Sequence, residues 1–156
     1  VDIFVAIQKI KLYTKDFHDE EELRYSSLHW DATIRELEVI GEALNTLLDD
    51  EYFCSLSPSY FRKVVNFRNA IAHGYFGIDA SEVWNVITLK IDLLKDDLQD
   101  IAKNKINLTE AIETQIIDYE KLKDKHIVQY LKEVSRLLSS YKPQIHKKIQ
   151  ITDNKT

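Results

Sequence analysis

The chain has 156 residues, 44% hydrophobic and 30% charged, with a formal net charge of −5 and a pI near 5.5. That length suits one domain with a buried core, and the acidity argues against a protein that coats nucleic acid through bulk charge, so any RNA contact is expected to be local. With no long uncharged apolar run and no basic-apolar-small start, the expectation is a soluble cytoplasmic chain with no membrane segment.

The chain lacks methionine and Val1 already sits in a helical pattern, as a trimmed start would leave it. Ile3, Ile7 and Ile10, with Phe4 and Val5 beside them, predict an amphipathic first helix ending between Tyr13 and Phe17. The acidic run Asp19 to Glu22 reads as a solvated connection. A second helix is expected from Ser26 or Ser27 to Leu48, with Leu37, Ile40, Gly41, Leu44, Leu47 and Leu48 as its buried stripe. Gly41 lowers helix propensity but lets another helix come close. Glu38 and Glu42, four apart, and Arg35 one turn earlier are second-tier site candidates, because such charges on one helix usually face water. Cys54 excludes an internal disulfide and reads as a small apolar filler beside Phe53 and Leu56.

Ser57 and Pro58 have the chemistry of a helix start. Phe61, Val64, Val65, Phe67 or Arg68, and Ile71 or Ala72 carry the helical spacing, and Gly74 and Gly77 end it near His73. Arg68 and His73 lie five residues apart, about 140° around a continuous helix, so the helix is expected to unwind between them if both meet one ligand. Tyr75 falls in the same turn. A permanently charged fork, an imidazole titrating near neutrality and a phenol suit a phosphodiester. Asp79 with Glu82 then starts a fourth helix through Trp84, Ile87, Ile91, Leu94, Leu98 and Ile101. Residues 104–107 interrupt the pattern, and Asn107 with Glu110 marks another start. Ile112 to Tyr141 fits one long helix or a helical hairpin, and the basic, polar end reads as a solvated tail. The five histidines are scattered without ligand spacing, so neither a metal nor another cofactor is expected. Strand signals are negligible, and the fold class is all-α: four core helices in an up-down bundle with a C-terminal helical extension.

Arg68-x-x-x-x-His73-x-Tyr75, followed by Phe76-Gly77-Ile78-Asp79 and Trp84, resembles the HepT toxins of the HEPN superfamily. The segment from Ile34 to Ala43, with its Gly41-Glu42-Ala43, is similar to that family's second helix. The similarity covers approximately Val1 to Ile101, giving a HEPN-type domain over 1–102, an extension over 103–142 and a basic polar tail over 143–156.

Metal-free RNA cleavage needs a base for the 2′-hydroxyl proton, an acid for the leaving oxygen and a cation for charge building on phosphorus. One copy of the motif supplies one imidazole and one guanidinium, whereas a two-fold dimer supplies two of each. The resemblance likewise implies a homodimer. It assigns Arg68 to phosphate binding, His73 to proton transfer, and Asn69 and Tyr75 to substrate positioning, with single-stranded RNA as substrate and a 2′,3′-cyclic phosphate and a 5′-hydroxyl as products. It further implies a toxin–antitoxin pair, with an MNT-type nucleotidyltransferase as antitoxin that can AMPylate Tyr75. The alternative is a catalytically inert dimeric binding subunit of a nucleotidyltransferase.

Overall fold

The computed structural model describes residues 1–73, 77–105 and 107–140. In chain order they form helices α1 (Asp2–Thr14), α2 (Glu20–Tyr25), α3 (Ser27–Leu48), α4 (Glu51–Leu56), α5 (Phe61–His73), α6 (Ala80–Asn85), α7 (Ile91–Lys105), α8 (Thr109–Lys121) and α9 (Lys125–Ser139). A π-helical turn, Val86–Lys90, joins α6 directly to α7. The described residues contain no strand, so the fold is the all-α bundle that the periodicity implied.

Helix α3 is central, packing against α1 and α5 and carrying α2 and α4 on its flanks. Ile3, Ile7 and Ile10 of α1 join Leu37, Ile40 and Leu44 of α3 in the main core, to which Phe61, Val65, Val83, Ile87, Ile91, Leu94 and Leu98 also belong. These positions recur at three- and four-residue intervals because such spacing gathers side chains on one face. Each buried aliphatic or aromatic side chain contributes about 1.5–3 kcal/mol, more than the roughly 0.5–1 kcal/mol of rotamer entropy that Ile or Leu loses.

The two forms left open after Asn107 resolve into a hairpin. Helices α8 and α9 pack on each other, and Ile112, Ile127, Leu131 and Val134 close over Val5 on the other side of α1. The turn has no glycine: Lys123 takes the left-handed conformation itself, with φ 59°. Its N–H bonds Glu120 O, the Asp124 N–H bonds Tyr119 O, and the Asp124 carboxylate accepts from Ile127 N at 3.1 Å to begin α9. This is a Schellman ending, usually made with glycine and costing a lysine about 1–2 kcal/mol.

Five local expectations need correction. Leu47, expected in the buried stripe of α3, is exposed at 37%, while Leu44 and Leu48 take the inward positions. The acidic run is not merely a connection: Asp19 accepts from Glu22 N at 2.8 Å and caps α2, which buries Leu23. Cys54 is exposed, because α4 turns Phe53 inward instead. Ser57 does not cap the motif helix; its hydroxyl donates to Phe53 O at 2.8 Å, and α5 begins at Phe61. The fourth helix is interrupted by the π-helical turn, whose extra residue rotates the facing of α7 relative to α6. Asp79 does cap α6, accepting from Ser81 N at 2.9 Å. Among the described residues no helix is long and apolar enough to cross a membrane.

Candidate functional site

The site begins with a missing side chain. Gly41 lies on α3 where α5 crosses it, and a Cβ there would overlap Arg68 Cβ and stand 2.7 Å from Arg68 Cγ. Glycine lets the stem of Arg68 lie directly on the α3 backbone, as the packing role expected of Gly41 requires. From that seat the guanidinium reaches the next residue, pairing through Nη2 with the Glu42 carboxylate. Its Nη1 donates to Asn69 Oδ1 at 2.9 Å. Arg68 therefore points sideways into a cleft, its partners being side chains.

The cleft holds about 370 Å³ and is lined by Arg35, Glu38, Glu42, Thr46 and Arg68, with Asp2 arriving from the start of α1. One turn before the Glu42–Arg68 pair, Arg35 Nη1 contacts Glu38 Oε2 at 3.2 Å. All three second-tier candidates thus share one depression with Arg68, because positions 35, 38 and 42 follow a single face of α3. Two arginines face three carboxylates, so the cleft is close to electroneutral. Arg68 keeps about a third of its side chain exposed, and two polar partners leave part of its five-donor fork free.

A second cavity of about 320 Å³ adjoins the first. Trp30, Ile34, Ile71 and Ile78 form its apolar wall, and Asp31, Arg35 and Glu38 its polar rim, so the Arg35–Glu38 pair belongs to both spaces. In the sequence Ile71 and Ile78 stand on either side of His73. The apolar spacing did not signal this cavity, since Ile71 read only as part of the helical pattern of α5 and Ile34 only as the start of the segment running to Ala43.

His73 is the last residue of α5, which stays helical from Arg68 onward. The expected unwinding between them is therefore absent, and the two positions leave the helix about 140° apart. The His73 side chain and the whole of Tyr75 lie outside the described residues, as does the tail 143–156. No group of three or more His, Cys, Asp or Glu among the described residues is arranged to hold a metal.

The Ribonuclease HepT-like family model matches residues 3–101, the span holding α5, the second cavity and all of the Arg68 cleft but Asp2. The chain belongs to the HepT-like ribonuclease family. Over 103 residues it is 32% identical to the "Probable ribonuclease HepT" of Thermococcus cleftensis, covering 65% of this chain and 91% of that one. It is 31% identical over 109 residues to the "Gamma-glutamylcyclotransferase and putative RNase" of Methanocaldococcus jannaschii, covering 67% of this chain but only 48% of that protein. A "Putative RNase" of the same organism is 31% identical over 107 residues, covering 66% of this chain and 87% of its own length. No solved structure matches significantly. The family match ends at Ile101, so the α8–α9 hairpin lies beyond it.

Proposed function

We propose that the protein is the toxin of a HEPN/MNT toxin–antitoxin pair, a metal-independent endoribonuclease acting on single-stranded RNA in the cytoplasm. Residues 1–102 form the catalytic unit, 103–142 an extension and 143–156 a polar tail. The observation that carries this reading is the setting of Arg68. In a HepT-like chain the motif arginine is led over a glycine into a surface cleft rather than spent on the last carbonyls of its helix.

In this reading Arg68 binds the scissile phosphate and offsets the charge that develops on it, and Asn69 holds the guanidinium in place. One His73 removes the 2′-hydroxyl proton, the freed oxygen attacks phosphorus, and a second His73 protonates the departing 5′ oxygen. The products are a 2′,3′-cyclic phosphate and a 5′-hydroxyl. Two imidazoles require two chains, and the helical continuity from Arg68 to His73 supports the same conclusion, since the two backbone positions lie about 140° apart around α5. The site is composite across a homodimer. Tyr75 positions the substrate and is the residue an MNT-type nucleotidyltransferase AMPylates. The adenylyl group brings bulk and negative charge to where an RNA phosphate must sit.

The test is cleavage of a single-stranded RNA, with metals chelated, by the unmodified protein and by His73→Ala, each checked for folding and dimerisation. Cleavage lost only in the variant establishes the ribonuclease. If neither cleaves and intact mass shows no adduct on Tyr75, the protein is instead an inert dimeric binding subunit of a nucleotidyltransferase.

A further inference from the structure

The second cavity is unused by the chemistry above, yet it shares Arg35 and Glu38 with the Arg68 cleft and is bordered by Ile71 and Ile78. Its shape and lining differ from those of a phosphate site. Trp30, Ile34, Ile71 and Ile78 give it an apolar wall, with Trp30 half-buried and packed against the core, so the indole is held rather than swinging in solvent. At about 320 Å³ it stands at the small end of ligand cavities, suited to one flat ring system. An aromatic face beside a cation and next to a phosphate-binding arginine is the arrangement on which single-stranded RNA bases stack.

The rim supplies the selectivity. Glu38 is engaged by Arg35, whereas Asp31 is exposed and forms no ion pair or hydrogen bond within the described chain. A carboxylate only accepts hydrogen bonds. Guanine offers it two adjacent donors, N1–H and N2–H; uracil offers a single N–H between two carbonyls that a carboxylate repels. Adenine and cytosine each pair one amino donor with a ring-nitrogen acceptor and fall between.

We propose that the cavity between α3, Ile71 and Ile78 is a nucleobase subsite: it takes guanine against Trp30, hydrogen-bonded to Asp31, with the attached phosphate reaching Arg68. The subsite rests on the ribonuclease reading and adds a base preference to it. Arg35, paired with Glu38 in the shared wall, separates the base from the phosphate.

Guanosine 3′-monophosphate and uridine 3′-monophosphate test it on the full chain, with calorimetry for affinity and NMR of the Trp30 indole N–H and the Ile71 and Ile78 methyls for location. Neither nucleotide has a bond the enzyme cleaves. The guanine nucleotide is expected to shift those signals and bind about three- to tenfold tighter than the uracil nucleotide, and Asp31→Asn to bring the two affinities close to parity. Asp31 is exposed, so folding is not at stake in that variant. The subsite is overturned if the Trp30 signal does not move at saturation, if both nucleotides bind equally, or if the preference survives Asp31→Asn. If the nucleotide behaves as expected but no RNA is cleaved, the subsite stands and the ribonuclease reading falls. Cleavage without base discrimination has the opposite meaning.

Discussion

Gly41→Ala sets two physical effects of opposite sign against each other. Alanine is the better helix former by about 1 kcal/mol, so a solvent-facing Gly41 would be improved by it. At this position the new methyl overlaps Arg68 Cβ and lies 2.7 Å from Cγ and 3.6 Å from Cα. Arg68 Cβ is fixed to the α5 backbone and cannot swing away like a side-chain tip, so α3 and α5 must separate. Overpacking of that kind costs about 1–3 kcal/mol. The net expectation is a loss of up to about 2 kcal/mol, or up to roughly 8 °C in melting temperature for a chain this size. The assay is urea unfolding of the wild type, Gly41→Ala and Gly77→Ala. A Cβ at Gly77 meets nothing within 4 Å, and no described glycine has positive φ, so that control is expected to stay within about 0.5 kcal/mol of wild type. If Gly41→Ala is more stable than the wild type by the full helix-propensity gain of about 1 kcal/mol, Arg68 is not seated on α3 as described.

Glu42→Gln removes the carboxylate that competes with phosphate for Arg68, and affinity for a 2′-O-methylated, uncleavable RNA should rise about 1.5- to fivefold; weaker binding would make Glu42 a support for Arg68 instead. Thr33 is fully buried with no partner for its hydroxyl among the described residues, so Thr33→Val is expected to raise unfolding free energy by about 1 kcal/mol, and a loss of stability would show that the hydroxyl is satisfied. Burial, reinforced by Asp92 and Glu133, pushes Tyr130 up to about 12, and burial with a 2.7 Å hydrogen bond to Asp97 raises Tyr60 as well. Because both folded values lie above the unfolded one near 10, their contribution is complete below pH 10 and lost as pH climbs through the folded values. Denaturation from pH 8 to 11 should therefore show a decline that shrinks in Tyr130→Phe, and an unchanged slope in that variant would contradict the assignment.

The bundle was legible because its helices carry regular apolar spacing: Ile3, Ile7 and Ile10, or Leu37, Ile40 and Leu44, fix both the element and its inner face. The pairing of Arg68 with Gly41 and Glu42 was only half legible. Gly41 announced a close approach by some helix, but which residue approaches depends on how α5 crosses α3, and that lies in packing rather than local pattern. The missed elements share one cause. Helices α2 and α4 are each six residues long, too short for periodicity, and are held by one aspartate cap and one buried side chain, Leu23 or Phe53. The α8–α9 turn escaped notice because its left-handed residue is a lysine. The Trp30 cavity is lined by residues from both sides of the motif turn and has no signature in any single stretch.

Helix α1 serves two neighbours at once. Its isoleucines enter the main core while Val5, on the other side, is covered by the hairpin beyond the family-matched region. Five consecutive residues, Ile3 to Ile7, are consequently buried, and the same helix begins at Asp2 on the rim of the Arg68 cleft. The hairpin cannot be trimmed as an independent appendage. Its loss would strip a hydrophobic strip on α1 bare, and whatever grips α9 pulls on the stave that ends at the cleft.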